Sequence, residues 1–422
     1  MSFSKLGLTP ALCSPLARLG YQQPTPIQSR AIPLALEGAD LLARAQTGTG
    51  KTAAFGLPMI QRIVAGRDGR PRRLPQGLVL VPTRELALQV HRSLGTYGAP
   101  VQLRVIALFG GVGLGPQIQS LRRGTDIVVA TPGRLLDHIQ RRTVDLSAIE
   151  MLTVDEADRM LDMGFIPALR RVIASLPTSR QTLCFSATLS DAVVGLAAEF
   201  TREPARVDVS DGHAVASTVT HHLHRVALEH KRAVLTHVLA QQQARSQTLV
   251  FCKTKRGSDR VGEHLERAGI RAAIIHGNRS QGARTRALDD FRAGRVNVLV
   301  ATDIAARGLD IPQLPLVINY DLPLVAEDYI HRVGRTGRAG CTGRAISLVS
   351  EADSRLLRDI QRLLPAPLEQ VAVQGFEAPR ASVSADVRRP PRHWPRHKPR
   401  RHGNSEPARR RAGSVSFTSQ SR

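Results

Sequence analysis

The sequence predicts an α/β protein: two parallel-sheet domains in tandem, followed by a disordered basic C-terminal tail. Three observations predict it. Short apolar runs recur between helical stretches, and most are continuous rather than alternating, as strands covered on both faces of a parallel sheet require. The runs fall into two sets with a polar stretch between them. Beyond them, hydrophobic periodicity disappears into a segment rich in Arg, Pro and His.

The first set is LLARAQ, GLVLVPT, RVIALFGG, DIVVATPGR, MLTVDEAD and TLCFSAT, which gives a first domain over 1–207. A polar linker is expected over 208–222. The second set is TLVFCKT, RAAIIHG, VNVLVATD, LVINYDLP and GRAISLVS, giving a second domain over 223–370. The tail, 371–422, has too little apolar surface to offset its ordering entropy. From Pro379 to Arg422 it holds 12 Lys/Arg and 2 acidic residues, so +10 of the net +24 sits there. About +14 remains in the core, so the tail alone does not explain the basic balance.

The chain has 422 residues and 59 basic against 35 acidic side chains. At roughly 150 residues per domain that length suits two or three domains. The excess of cations favours polyanions, nucleic acid first and anionic membrane second. Aromatics make up only 4%, so the cores should be mainly aliphatic. Four cysteines stand far apart with no CxxC pair, which argues against a zinc site and a disulfide framework. No apolar leader region and no long apolar run is visible, so a soluble protein of a reducing compartment, the cytoplasm, is expected.

"ARAQTGTGKTAAF" spans Ala43–Phe55 and follows a strand candidate. Gly48 and Gly50 let successive backbone N–H groups turn toward phosphate oxygens, and a following helix adds its positive end. Lys51 suits the β- and γ-phosphates, and the Thr52 hydroxyl suits Mg²⁺. Downstream, "MLTVDEADRM" places Asp155, Glu156 and Asp158 behind an apolar run. Carboxylates this close raise one another's cost of ionisation. A nucleoside triphosphate with its Mg²⁺ is the cation source that explains them: Asp155 for the metal, Glu156 for the attacking water.

With these residues the chain resembles the DEAD-box RNA helicases, members of a superfamily with two RecA-like domains. The resemblance runs from Phe3 to about Leu364. Within the family, the opening "MSFSKLGLTPAL" and the basic C-terminal extension look most like the bacterial RhlE subgroup. The resemblance implies ATP and Mg²⁺ as cofactors and an RNA-stimulated ATPase that locally unwinds short RNA duplexes or remodels RNA–protein complexes.

Residue roles follow from the resemblance motif by motif. "GYQQPTPIQ" looks like the adenine-recognising Q motif, so Gln28 is expected to read adenine and upstream Phe3 to stack on it. "AQTGTGKT" matches the family's phosphate loop and brings in Gln46, Thr47 and Thr49 beside Gly48, Gly50, Lys51 and Thr52. "SAT" (Ser186, Thr188) couples nucleotide state to RNA. Arg84 of "VPTRELA", Gly110 and Gly111 of "FGG", and Thr131 and Arg134 of "ATPGR" look like RNA contacts of the first domain. Glycine N–H groups, hydroxyls and arginines all suit phosphate oxygens.

In the second domain, Lys253 and Thr254 of "FCKT", Gln281 and Arg284 of "SQGARTRALDDF", and Thr302 and Gly308 of "ATDIAARGLDI" look like further RNA contacts. Asp303 and Asp310 are expected on the nucleotide side. "YIHRVGRTGRAG" looks like the arginine-finger motif, with Arg335 and Arg338 as fingers and His331 linking them to DEAD and SAT. Asp158 then serves as the coupling residue, bonded to SAT and His331. Implied partners are RNA, held mostly through its backbone, and ribosomal precursor particles or RNA-decay machinery; no membrane is implied. Two rivals stay open: a non-enzymatic RNA-binding or annealing protein that uses the basic tail, and a DNA helicase of the wider superfamily.

Overall fold

All six apolar runs of the first set form strands, and a seventh strand joins them. They are β1 (Leu41–Arg44), β2 (Gly77–Leu80), β3 (Val105–Leu108), β4 (Ile127–Ala130), β5 (Met151–Val154), β6 (Gln181–Ser186) and β7 (Ala205–Asp208). The second set gives β9 (Thr248–Cys252), β10 (Ala272–Ile275), β11 (Val298–Thr302), β12 (Leu316–Asn319) and β13 (Gly343–Val349), flanked by β8 (Val219–Arg225) and β14 (Glu369–Gln370). The computed structural model describes residues 2–376 except 47, 67–73, 210–218, 243–245, 307–310, 312–313, 338–341 and 365.

Each sheet has seven strands, and every pairing is parallel. Their orders are β3-β4-β2-β5-β6-β1-β7 and β10-β11-β9-β12-β13-β8-β14, so the second sheet repeats the first strand for strand. The two faces of each sheet are covered separately. Leu41, Ala43, Val79 and Val129 pack into one cluster of the first half, while Leu42, Leu78, Leu80, Val128 and Val154 pack into another. Successive side chains of a strand point to opposite faces, which is why these strands read as unbroken apolar runs.

The repeat is architectural but not chemical. Lys51 opens the helix that follows β1, and Lys231 opens the helix that follows β8. The turn before Lys231 has no glycine, and its Nζ is already taken by Asp353 Oδ2 at 2.9 Å and the Tyr320 carbonyl at 3.3 Å. Among the described residues, only the first half therefore keeps a phosphate loop.

Two boundaries differ from the sequence expectation. Val219–His222 belong to β8 rather than to the linker. This strand, VTHHLHR, hides in the sequence because polar residues fill it, yet it is a full ladder beside β13. The start of the tail moves as well: the Val371 N–H donates to the Leu223 carbonyl at 2.9 Å, and Val373 is buried. Apolar Val371, Val373 and Phe376 have a surface to cover, which the Arg/Pro segment lacks. Residues 377–422 lie outside the described residues, as does the rest of the tail expectation. Among the described residues, no helix is long and apolar enough to cross a membrane.

Candidate nucleotide site and nucleic-acid interface

The phosphate loop sits between β1 and the helix Lys51–Ala65. Gly48 and Gly50 have φ of 88° and 92°, a region that side chains rarely enter. At Gly50 space forbids a side chain too: a Cβ there would lie 2.3 Å from Gln28 Nε2. The Ala45 N–H donates to the Ser186 carbonyl at 2.9 Å, which ties the loop to β6, and Thr49 Oγ1 donates to the Gln46 carbonyl at 2.7 Å. Thr52 lies in the first turn of the helix. Thr47 lies outside the described residues.

Gln28 is 3% exposed, and both ends of its amide have partners. Nε2 donates to the Gly50 carbonyl at 3.1 Å, and Oε1 accepts from the Thr25 N–H at 2.9 Å. One N–H and one lone pair remain for a base edge. Gln28 thus braces the phosphate loop itself, a contact that its motif did not suggest. Phe3 is 5% exposed inside the apolar cluster of the first half. A ring so covered has little face left for stacking, so its first role is packing.

β5 delivers the carboxylates. Asp155, Glu156 and Asp158 are all buried, as is Lys51. Lys51 Nζ stands 3.5 Å from Asp155 Oδ1 and makes no hydrogen bond. Burial lowers its pKa, but Asp155, Glu156 and Asp158 outweigh that and hold it raised, so the ammonium stays charged. A buried charge with idle donors fits a phosphate oxygen. Glu156 has φ 56° and ψ 52°, a left-handed conformation costing roughly 1–3 kcal/mol for a non-glycine residue. Burial raises its pKa; Lys51 and Arg335 pull it back, and Asp155 and Asp158 push it further up. A carboxylate raised in this way is a better base than a solvated one. The hydroxyl and carboxylate of Thr52 and Asp155 are hard oxygen donors that fit Mg²⁺.

Asp158 takes a different job. Its Oδ2 accepts from the N–H groups of Ala187 and Thr188, both at 3.1 Å, and its own N–H donates to Ser186 Oγ at 3.4 Å. The expected bond to SAT is therefore present. The described contacts give Asp158 an electrostatic link to His331 rather than a hydrogen bond. His331 is held at a pKa of about 3 by burial and then by Arg159, with Asp158 and Asp328 opposing.

The two halves meet around these residues. Arg159, next to Asp158, donates from Nη1 to Asp328 Oδ1 at 2.8 Å on the second half. Arg335, from the second half, lies close enough to Glu156 to lower its pKa. Arg338 lies outside the described residues. Arg332 is wholly engaged: Nε and Nη2 grip Asp303 at 2.6 and 2.7 Å, and Nη1 donates to Asn319 Oδ1 and the Asp321 carbonyl. Asp303, expected on the nucleotide side, is thus the fork-shaped partner of Arg332. Asp310 and Gly308 lie outside the described residues.

On the first half the RNA-contact candidates cluster. Arg84 packs against Gly110 and Gly111; a Cβ at Gly111 would lie 1.8 Å from Arg84 Nη1, and its φ of 80° also requires glycine. Arg134 donates from Nη1 and Nη2 to the Val112 carbonyl, both at 3.1 Å. Thr131 immediately precedes the helix Pro132–Gln140 that carries Arg134, without a capping bond from its side chain. On the second half, Thr254 caps the helix Lys255–Arg267, the Lys253 N–H donates to Asp321 Oδ2 at 2.9 Å, and Thr302 ends β11. Gln281 and Arg284 differ from expectation. Both bind Glu85 of the first half, at 3.1 and 2.9 Å, so in this state they join the two halves.

Sequence reasoning missed Arg159, Asp328, Glu85 and Arg332. Glu85 and Arg159 each adjoin a motif residue, a signal that was available; nothing in the sequence pairs them with their partners.

One phosphate loop, a duplicated parallel sheet and an arginine from one half facing a carboxylate of the other define a two-lobed helicase of the P-loop class. Residues 25–195 match the DEAD/DEAH box helicase model, and residues 230–340 match the helicase conserved C-terminal domain. ATP-dependent RNA helicase CshA of Listeria monocytogenes is 43% identical over 359 residues, 85% of this chain and 68% of that protein. The chain belongs to the DEAD-box family of ATP-dependent RNA helicases. It spans 60% to 63% of the length of several other curated relatives. The structure of S. cerevisiae Dbp5 bound to RNA and ADP BeF3 is 33% identical and superposes with a TM-score of 0.79, over 88% of this chain and 95% of that one. A variant of the same yeast protein bound to Nup159, Gle1, IP6 and ADP, 32% identical over 87% and 96%, gives only 0.60. The arrangement of the two halves is thus nearer to the RNA-bound form of Dbp5.

Proposed function

We propose that this chain couples ATP hydrolysis to local separation of short RNA duplexes or to remodelling of RNA–protein complexes. The observation that carries the proposal is the seam beside the carboxylates: Arg159, next to Asp158, donates to Asp328 of the second half at 2.8 Å, and Arg335 of the second half acts electrostatically on Glu156. Hydrolysis then requires the two halves to be together. Lys51 holds the β- and γ-phosphates. Thr52 and Asp155 hold Mg²⁺, which when bound neutralises phosphate charge. Glu156 orients the attacking water and takes its proton. Arg335 and Arg338 stabilise the transition state, a contribution worth roughly 10³ to 10⁵ in rate.

RNA crosses both halves, from Arg84, Gly110, Gly111, Thr131 and Arg134 to Lys253, Thr254, Thr302 and Gly308. Closure around the strand bends it, and a bent strand leaves an A-form duplex. Backbone contacts make the preference for sequence weak. Asp158, Ser186, Thr188 and His331 carry the state of the nucleotide to that surface. Gln281 and Arg284 reach RNA only after letting go of Glu85. We place the chain in the RhlE subgroup and in the cytoplasm, where its free cysteines suit a reducing medium. The basic tail tethers RNA near the core, and ribosomal precursors or RNA-decay complexes are its targets.

The test compares single-stranded RNA and DNA of equal length as activators of ATP hydrolysis. RNA should stimulate and DNA should not. Glu156→Gln should bind ATP and RNA but hydrolyse at least 100-fold more slowly, since general base catalysis is worth about 10² to 10⁴. Wild-type turnover by Glu156→Gln removes the role of Glu156. Equal stimulation by DNA favours the wider-superfamily rival. A chain without RNA-stimulated turnover is the annealing protein instead.

A further inference from the structure

Beneath the glycine loop that follows β3 lies a buried polar relay that none of the motifs contains. Gln117, on the helix Leu114–Arg122, donates from Nε2 to the Phe109 carbonyl at 3.0 Å. Its Oε1 lies 3.1 Å from His138 Nε2, on the helix Pro132–Gln140. His138 Nδ1 in turn lies 2.8 Å from Thr143 Oγ1. Gln117 is 7% exposed and His138 is 0%. The three side chains come from two helices and the turn after the second, and they reach the loop between β3 and the first helix through the Phe109 carbonyl.

An amide oxygen only accepts, so His138 must carry a hydrogen on Nε2. That fixes the ring's orientation, which fixes the amide, which leaves Nε2 of Gln117 aimed at Phe109. Burial keeps His138 below its ordinary pKa, with Arg134 acting the same way, so the relay stays neutral. On the far side of the loop the Val112 carbonyl is pinned by Arg134. The backbone is thus gripped on both sides of Gly110 and Gly111, the two residues that lie against Arg84. The Thr143 hydroxyl is shared between His138 Nδ1 and the His138 carbonyl, at 2.8 and 3.1 Å, and a buried network of this kind rigidifies what it touches.

We propose that Gln117 and His138 are positioning residues that preform the glycine loop for an RNA strand. Neither touches RNA; they act by holding the Phe109 carbonyl, so that the loop is ordered before the strand arrives. Ordering a loop during binding weakens binding, and a preformed loop avoids that cost. The inference rests on the proposal that Gly110, Gly111 and Arg134 face RNA.

The experiment measures ATP turnover by the full chain against the concentration of a single-stranded uridine oligonucleotide. Gln117→Leu keeps the shape and removes both hydrogen bonds. It should raise the half-saturating RNA concentration about tenfold, the loss expected for one buried hydrogen bond, while kcat at saturating RNA and KM for ATP stay within twofold. Gln117→Glu, assayed at alkaline pH so that its carboxyl is ionised, keeps the acceptor for His138 but loses the donor to Phe109, so it should show the same split. Thr143→Val, one step further away, should show a smaller shift. Arg134→Ala, run in parallel, removes both a proposed RNA contact and the grip on the Val112 carbonyl, so it sets the largest shift that this surface can give. If Arg134→Ala shifts half-saturation and folded Gln117→Leu and Gln117→Glu do not, the relay has no positioning role. A variant whose kcat and ATP KM deteriorate as much as its RNA dependence also overturns it. If Arg134→Ala shifts nothing, the surface reading fails first. Should Gln117→Leu not fold, the isosteric Gln117→Glu decides the matter alone.

Discussion

Arg159 Nη1 and Asp328 Oδ1 stand 2.8 Å apart and come from opposite halves of the molecule. The side chains are only 7% and 13% exposed. Arg159 follows Asp158, the residue that accepts from SAT, and Asp328 lies one turn before His331 and Arg332. The pair spans the two halves, so it belongs to the state in which Arg335 acts electrostatically on Glu156.

Removing one partner from a buried ion pair is expected to cost about 3–5 kcal/mol, and Asp162 Oδ2, 3.3 Å from Arg159 Nη1, offsets part of that when Asp328 is the partner replaced. Here that cost falls on closure rather than on folding. Arg159→Leu and Asp328→Leu should each lower RNA-stimulated kcat/KM by at least tenfold while thermal stability of the open chain barely moves. The double variant should lose much less than the two losses combined, since the stranded charge is gone. Strictly additive losses would show that the residues act separately.

Gly50→Ala should weaken nucleotide binding strongly. The φ of 92° alone costs an L-residue about 1–2 kcal/mol. The new methyl also displaces Gln28, whose amide braces the Gly50 carbonyl. A fluorescent ATP analogue should bind more than tenfold more weakly, with the helical circular dichroism intact. Gln28→Ala should weaken the same binding to a lesser degree, through loss of the brace. Normal affinity in Gly50→Ala would mean that the loop has another conformation when nucleotide binds.

Much of this site was legible in the sequence because its chemistry is local. The phosphate loop needs glycines and a lysine within a few residues, and DEAD needs its carboxylates behind one strand. The unbroken apolar runs were legible because both faces of a parallel sheet are covered. β7 and β8 were not, since ARVD and VTHHLHR carry polar residues along sheet positions near the edge. The seam was hidden for a different reason. Glu85 meets Gln281 across 196 positions, and Arg159 meets Asp328 across 169, distances over which no local pattern speaks. Phe3 lies among apolar side chains, a setting the sequence could not foretell, because an aromatic ring suits stacking and core packing equally.

Asp158→Asn should separate hydrolysis from strand displacement. Oδ2 of Asp158 faces two N–H donors, of Ala187 and Thr188. An amide nitrogen turned toward them repels, and an amide oxygen accepts more weakly than a carboxylate. Hydrogen bonds to charged groups contribute about 1.5–3 kcal/mol each, so SAT should detach from DEAD. Duplex unwinding is expected to fall at least tenfold further than RNA-stimulated ATPase. Parallel losses in both assays would place Asp158 in the hydrolytic step instead.

His331 gives the closed state a dependence on pH whose sign can be worked out. Its ordinary pKa is 6.5, and in this structure it is held at about 3 by burial first and by Arg159 second, against Asp158 and Asp328; Arg335 adds to the lowering. Between these values an exposed ring takes up a proton that the buried ring refuses. The open or unfolded chain then binds more protons, so the closed state gains stability as pH rises through this window. The contribution is fully present above pH 6.5 and is lost progressively as pH falls toward 3. His91, His138, His221 and His224 are also lowered, mainly by burial, and act in the same direction. The thermal midpoint should therefore fall between pH 7.5 and 5.0. Closure in the presence of ATP and RNA, followed by fluorescence transfer between labels on the two halves, should weaken over the same interval. His331→Gln cannot take the proton, so closure in that variant should depend on pH less steeply, whereas the stability effect of the other histidines should persist. If wild type and His331→Gln lose closure in parallel from pH 7.5 to 5.0, the titrating group lies elsewhere in the seam.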